Sequence, residues 1–187
     1  TQCVHMTAVG SQDIETVAQY GAHVIHCPRS NMKLASGTCP VKKFKDAGVN
    51  VALGTDGAAS NNKLNGLAEM QAASLLAKLE SKDPTAMSAR DTIQMATLDG
   101  ARALGLDHVT GSLEPGKSAD FIALDFTHLG MEPNHQIESN LVYANSGSEV
   151  TWSWIAGKNV VKNRQLQTLD SDALHHKAAA WRGKLSP

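Results

Sequence analysis

The stretch VNVALGTDGAASNN, residues 49–62, constrains the fold of this chain more than any other part of the sequence. It starts as an apolar run typical of a buried strand, ends that run at Gly54, and then presents one carboxylate, Asp56, before small and polar residues. A strand that carries an acid to its C-terminal end is typical of α/β barrels, whose chemistry lies at the carboxyl ends of the strands. An ordinary Asx-turn, in which Asp56 bonds its own backbone, explains the same pattern.

Short strands and helices alternate before this stretch. Strands are predicted at residues 2–5 and 22–26, and helices at 12–20 and 40–48, where Pro40 suits a first helical turn. The polar run RSNMKLASG at 29–37 is expected to be a loop. Apolar strands at such short intervals favour parallel pairing through right-handed crossovers.

The pattern changes later in the chain from helical to mainly β. The predicted elements are helices at 64–80 and 88–104, a strand at 119–125, a short apolar piece at 141–144, a hairpin at 150–162 and a last helix at 170–181. Ser88 and Asp91 fit a capping box at the start of the second of these helices. We place a domain boundary at residue 110, with a parallel α/β unit over 1–110 and a mostly antiparallel β segment with a terminal helix over 111–187.

Composition limits the partners and the compartment. A formal net charge of −1 gives no reason to expect binding to nucleic acid or to an anionic membrane. Apolar runs fall short of the roughly 18 residues that a membrane span needs. Cys3, Cys27 and Cys39 lack CxxC spacing, so we expect reduced thiols in the core of a cytoplasmic protein.

Three polar side chains are predicted at the ends of the parallel strands: His5, His26 and Asp56. If the strands are neighbours, these side chains share one rim, where imidazole and carboxylate suit Zn²⁺ or Fe²⁺. The spacing is not diagnostic, because the sequence has neither HxH nor HExxH. A structural role therefore stays open for each residue, and for His26 we favour an imidazole bonded to backbone over a metal ligand.

The remaining candidate side chains are expected to be structural. The other histidines, to which we assign no role or a surface position, are His23, His108, His128, His135, His175 and His176. Trp152 and Trp154 lie two residues apart, so they share one face of a strand and are expected in the core or at an interface.

Several motifs together point to a known family. HCPRSNMKLASG at 26–37 and AGVNVALGTDGAASNN at 47–62 closely resemble the 5′-methylthioadenosine/S-adenosylhomocysteine deaminases, in the chlorohydrolase and deaminase branch of the amidohydrolase superfamily. EMQAASLLAK at 69–78, MATLDGARALGL at 95–106 and GSLEPGKSADFIALD at 111–125 fit the same family. The first two motifs are specific, whereas GKSADF is general to the superfamily, and the resemblance covers nearly the whole chain.

The resemblance implies a distorted (β/α)₈ barrel with one divalent metal, usually Zn²⁺ with Fe²⁺ or Mn²⁺ as alternatives, and a small β-sandwich. This chain would supply barrel strands six to eight and the C-terminal share of the sandwich. Asp56 would be a metal ligand, a substrate contact and the base that moves a proton from the attacking water to the leaving amine. His5 would position the nucleophile and the substrate, with Gln2 as the alternative residue for that place.

The implied activity is hydrolytic deamination of an adenine nucleoside, namely 5′-methylthioadenosine, S-adenosylhomocysteine or adenosine, by a homo-oligomeric cytoplasmic enzyme. Alternatives are an 8-oxoguanine deaminase, a triazine-type chlorohydrolase, or a non-catalytic fragment or assembly subunit that complements an N-terminal partner. The family's HxH pair, its strand-five histidine and its purine-contacting glutamate are not in this sequence, so the remaining metal ligands are not in this chain. We expect the C-terminal part of a longer protein, inactive and poorly folded when isolated.

Overall fold

Three strands form a parallel sheet in the first part of the computed structural model, which describes residues 1–145 and 147–185. They are β1 (Gln2–Val4), β2 (His23–His26) and β3 (Val51–Leu53), paired in that order. The register aligns Cys3 with Val24 and Val24 with Val51. Because the strands run in the same direction and in register, all of them end at one edge of the sheet.

Two helices cover one face of this sheet. Helix α1 (Ser11–Gln19) buries Ile14 and Val17, three residues apart on one face, and α3 (Val41–Asp46) buries Phe44 completely. These side chains join Val24 and Val51 in the main hydrophobic core. Both helices agree with the sequence prediction, since the apolar spacing and the Gly that follows each helix are strong helix signals.

The prediction of a loop at residues 29–37 is wrong for residues 29–33, which belong to the helix α2 (Pro28–Lys33), and right for 34–37. Pro28 occupies its first turn, where the missing N–H is not needed and the fixed φ suits a helix. Ser30 and Asn31 are small polar residues that the composition assigns to loops, but the helix buries both of them. Their burial places two polar side chains close to the carboxyl edge of the sheet.

The next helical region contains three helices where the sequence predicted two, at 64–80 and 88–104. Helix α4 (Gly66–Ser81) is capped by Asn65, whose side chain accepts hydrogen bonds from the N–H groups of Leu67 and Ala68 at 3.0 and 3.2 Å. The predicted capping box of Ser88 and Asp91 is confirmed at the start of α5 (Ala89–Ala96). Helix α6 (Leu98–Leu104) follows directly.

Thr97 separates α5 from α6. Its φ of −125° and ψ of −93° lie outside the helical region, and its Oγ1 donates a hydrogen bond of 2.8 Å to the carbonyl of Ile93. Such a bond from threonine to an earlier turn competes with regular helix geometry. The apolar spacing of this segment continues through the break, which is why periodicity predicted a single helix over 88–104.

The second sheet is antiparallel and has the order β4, β5, β6, β7. Its strands are β4 (Phe121–Leu124), β5 (Val150–Ile155), β6 (Lys158–Lys162) and β7 (Gln165–Leu166). The predicted hairpin is confirmed by the pairing of β5 with β6. Trp152 and Trp154 share a face as expected, with stacked rings 5.6 Å apart, and Phe121 stacks on Trp154 at 4.5 Å.

Further helical elements lie around this sheet. The 3₁₀ turn at Leu129–Met131 precedes α7 (Ile137–Tyr143), which includes most of the apolar piece predicted at 141–144. Helix α7 packs on the earlier helices, since Gln71 donates to the carbonyl of Tyr143 at 2.8 Å. Helix α8 (Ser171–Leu185) is exposed along its length. Within residues 1–145 and 147–185, no helix has the length and apolar character needed to cross a membrane.

The turn after α6 packs tightly, and two glycines allow this to be tested. Gly111 and Gly116 have similar φ values of 93° and 94°. A Cβ at Gly111 would lie 2.6 Å from Ala101 Cβ, whereas a Cβ at Gly116 would meet nothing within 4 Å. In the full-length gene product we expect Gly116→Ala to lower the free energy of unfolding by about 1–2 kcal/mol through backbone strain. Gly111→Ala should cost about 1–3 kcal/mol more because of overpacking.

Urea unfolding of both variants measures this difference. Because the two glycines have nearly the same φ, the difference between the variants reports mainly the contact with α6. Equal losses of stability in the two variants would show that the turn does not pack on this helix.

Candidate active site

Two of the predicted site residues meet at the carboxyl edge of the parallel sheet. His5 follows β1 and Asp56 follows β3, and their φ values of 71° and 60° place both in the left-handed region. His5 Nε2 lies 3.8 Å from Asp56 Oδ2. A non-glycine residue adopts this backbone at an energetic cost, and such residues cluster at functional sites.

The Asp56 carboxylate is held by two hydroxyl groups. Ser30 Oγ on α2 donates to Asp56 Oδ2 at 2.7 Å, and Ser60 Oγ in the following loop donates to the same oxygen at 2.6 Å. These bonds, that of Ser60 foremost, together with the backbone of Gly57 and the nearby His5, lower the pKa of Asp56 to about 2. Asp56 is therefore ionised at neutral pH. Its carboxylate accepts hydrogen bonds both from its own loop and from α2.

His5 is oriented by a residue that the sequence did not single out. Its Nδ1 lies 2.8 Å from Asn31 Oδ1 on α2. This contact limits rotation of the imidazole ring. The other ring nitrogen, Nε2, is the one that faces Asp56.

The third predicted residue, His26, is separate from this pair. It is fully buried, and neither ring nitrogen has a hydrogen-bond partner among the described residues. The expected bond from His26 to backbone is therefore wrong. Burial first, and then the nearby His5, lower the pKa of His26 to about 4, so its imidazole is neutral at pH 7.

The donor types at this edge suit a divalent metal, but they make only part of a ligand set. Asp56 offers a charged oxygen and His5 an imidazole nitrogen, both of which Zn²⁺ accepts. Across residues 1–145 and 147–185, no cluster of three or more His, Cys, Asp or Glu side chains is able to hold a metal ion. The described chain thus supplies one or two donors and not a complete site.

A second layer of polar residues lies behind the first and was missed at the level of sequence. The Glu69 side chain on α4 is buried and accepts hydrogen bonds from Asn61 Nδ2 at 2.6 Å and from the backbone N–H of Arg29 at 3.2 Å. Burial raises the pKa of Glu69, and these two hydrogen bonds oppose that rise. The sequence contained one signal for this residue: Glu69 is an acid within the predicted amphipathic helix 64–80.

Other candidate features stay outside the site. The cysteines are free thiols, and burial raises the pKa of Cys27 to about 11 and that of Cys39 to about 12, as expected for core residues rather than nucleophiles. An open, mainly apolar groove of about 630 Å³ beside α6 includes Ile25, Ala52 and Gln2, the predicted alternative to His5, but not His5, His26 or Asp56.

Together these features define a class of protein: an α/β scaffold with nitrogen and oxygen donors at the carboxyl edge of a parallel sheet, followed by an antiparallel sheet. The model of the amidohydrolase family matches residues 1–160, and the chain belongs to this family.

Curated relatives agree with the resemblance seen in the motifs. The chain is 54% identical over 185 residues to a 5-methylthioadenosine/S-adenosylhomocysteine deaminase of Teredinibacter turnerae, and 49% identical over the same length to that of Saccharophagus degradans. A 5′-deoxyadenosine deaminase of Methanosarcina mazei is 44% identical over 174 residues. The first two alignments cover 99% of this chain and 42% of each relative, and the third covers 93% and 40%. The chain thus spans less than half the length of these relatives.

Solved structures confirm the α/β fold class. A zinc-bound adenosine deaminase from Xanthomonas campestris superposes with a TM-score of 0.96 at 45% identity, over 98% of this chain and 42% of that one. The atrazine chlorohydrolase TrzN from Arthrobacter aurescens, complexed with zinc, superposes with a TM-score of 0.89 at 24% identity, over 96% of this chain and 40% of that one. The second likeness shows the fold alone.

The hydrogen bond from Ser60 is expected to control the charge of Asp56. Ser60→Ala removes the largest cause of the lowered pKa, so the pKa of Asp56 should rise from about 2 toward its ordinary value of 3.8. A carboxyl ¹³C NMR titration of the metal-free full-length gene product measures the change. Ser36→Ala is the control, because Ser36 bonds the carbonyl of Asn31 and not Asp56. An unchanged titration in Ser60→Ala would contradict the assigned hydrogen bond.

The buried His26 predicts a pH-dependent stability. The unfolded chain binds a proton at His26 below about pH 6.5, whereas the folded chain resists protonation down to about pH 4. Stability is therefore lost as pH falls across this window, by up to about 3 kcal/mol from this residue. We expect the difference in unfolding free energy between wild type and His26→Gln to shrink over the window and to be constant above it. Urea unfolding at a series of pH values checks this, and a difference independent of pH would contradict it.

Proposed function

We propose that the full-length protein hydrolytically deaminates an adenine nucleoside to an inosine-type product and ammonia. The proposed substrates are 5′-methylthioadenosine, S-adenosylhomocysteine and adenosine. The observation that carries this proposal is the Asp56 carboxylate, held by two serine hydroxyls with its pKa lowered to about 2, at 3.8 Å from His5 Nε2 at the sheet edge. The relatives named as deaminases of these nucleosides support it.

Asp56 is proposed as metal ligand, substrate contact and proton carrier. When bound, a divalent metal, Zn²⁺ in preference to Fe²⁺ or Mn²⁺, would lower the pKa of the water that attacks the ring carbon bearing the amine. The Asp56 carboxylate is ionised and can accept a proton from that water. Its low pKa also favours release of the proton to the leaving amine, because the protonated form of a weak base is a strong acid.

His5 is proposed as the group that positions nucleophile and substrate. Asn31 fixes the ring through Nδ1, so that Nε2 points toward Asp56. An imidazole nitrogen at that place can form a hydrogen bond with the water or with the leaving amine and so orient it. The bond to Asn31 also limits rotation of the ring, which is the preorganisation that catalysis needs.

We also propose the place of this chain in the complete protein. The three parallel strands would be strands six to eight of an eight-stranded barrel, with residues 1–110 in the barrel and 111–187 in the C-terminal β-sandwich segment with its helix. The remaining metal ligands would come from outside this chain. We further propose a homo-oligomeric cytoplasmic enzyme with a small-molecule substrate and no nucleic-acid or membrane partner, in keeping with the small net charge.

Ammonia release from the three nucleosides by the full-length gene product tests the proposed activity. We expect Asp56→Asn, which removes the charge and keeps the shape, to lower kcat/KM by about 10³-fold or more. His5→Asn should lower it by about 10²-fold, the loss expected when nucleophile or substrate is misplaced. His135→Asn is the matched control, since His135 is exposed and far along the chain from the site.

Parallel assays with 8-oxoguanine and a chlorotriazine separate the proposal from its alternatives. Activity on either of these rings, with none on the nucleosides, would replace the proposed substrate. Purified protein that turns over none of them would favour a non-catalytic fragment or assembly subunit. Activity of Asp56→Asn equal to wild type would exclude Asp56 from the reaction.

A further inference from the structure

A buried carboxylate connects the two segments that surround Asp56. Glu69 lies in α4, and its side chain is only 1% exposed. Buried acids are rare in proteins, because loss of hydration is costly unless hydrogen bonds and opposite charge replace the water. The partners of Glu69 therefore show what its burial achieves.

The first partner is the loop that carries Asp56. Asn61 Nδ2 donates to Glu69 Oε1 at 2.6 Å and to the carbonyl of Thr55 at 2.9 Å. Thr55 immediately precedes Asp56 in the chain. The Asn61 amide therefore joins the beginning and the end of the loop around Asp56 and ties both to α4.

The second partner is the start of α2. The backbone N–H of Arg29 donates to Glu69 Oε2 at 3.2 Å, and Arg29 Nε lies 3.6 Å from Glu69 Oε1. The next residue, Ser30, donates to Asp56 Oδ2. One carboxylate thus fixes both the helix that carries Ser30 and the loop that carries Asp56.

We infer that Glu69 is a positioning residue that holds Asp56 and Ser30 in the geometry needed for metal binding and proton transfer. This inference rests on the proposed function for the role of Asp56, and it adds a residue that does not itself touch Asp56. Both oxygens of Glu69 act as acceptors toward separate segments. An amide at this place would turn one of these hydrogen bonds into a contact between two donors.

The test is Glu69→Gln in the full-length gene product. We expect Zn²⁺ affinity, measured by competition with a chelator, to fall by about 10–100-fold, the range for residues that orient metal ligands. Turnover should fall by a similar factor while KM changes less than about threefold, because Asp56 would be misplaced for proton transfer and much of the substrate contact would remain. Glu80→Gln is the matched control, since Glu80 lies on the same helix, three turns beyond Glu69.

A second variant tests the same inference if Glu69→Gln does not fold. Asn61→Ser removes the link between Glu69 and Thr55 and leaves the bond to Arg29 in place, so it should weaken Zn²⁺ binding in the same direction. Asn62→Ser, at the neighbouring exposed position, is its control.

The outcomes separate this inference from the proposed function. A variant that keeps Zn²⁺ affinity within about twofold of wild type, while its unfolding midpoint falls, would overturn the inference and assign Glu69 a merely structural role. Weakened Zn²⁺ binding in a protein that deaminates none of the nucleosides would support the positioning role and reject the proposed function. Wild-type protein that binds no Zn²⁺ would contradict both.

Discussion

The parallel register of β1, β2 and β3 is the constraint on which the site depends. In a parallel sheet the hydrogen-bond ladder fixes how far each strand extends relative to its neighbour. Pairing of Val4 with Ile25 and of His26 with Leu53 brings all three strand ends to one edge. A slip by one residue would turn Val24 and Val51 away from the helices that bury them. The same apolar contacts that stabilise the core therefore also bring His5 and Asp56 together.

Around this edge the polar groups form two layers with different tasks. The inner layer sets charge and direction, because Ser30 and Ser60 keep Asp56 ionised and Asn31 orients the imidazole of His5. The outer layer, built around Glu69, fixes the segments on which those side chains are carried. The energetic cost of burying a carboxylate in the outer layer is offset only because several hydrogen bonds converge on it.

The sequence predicted the fold class, the order of the strands and the convergence of His5 and Asp56, because apolar periodicity and strand ends are local signals. It did not predict α2, since Ser30 and Asn31 are typical of loops, and only Pro28 marked a helix start. It did not find Glu69 either, because burial of an acid on a helix depends on which segments fold against it. The break at Thr97 likewise reflects a local hydrogen bond that periodicity does not contain. The domain boundary at residue 110 and the catalytic roles remain predictions.

The left-handed backbone at Asp56, with φ of 60°, limits how the site could change over evolution. Glycine, asparagine, aspartate and histidine tolerate this conformation best, whereas β-branched residues do so poorly. Glycine supplies no side-chain oxygen, and asparagine supplies no charge. Histidine, a frequent metal ligand elsewhere, would need more room than this short side chain occupies between two serine hydroxyls. The left-handed backbone and the space between the two serine hydroxyls together favour aspartate as the donor at this position.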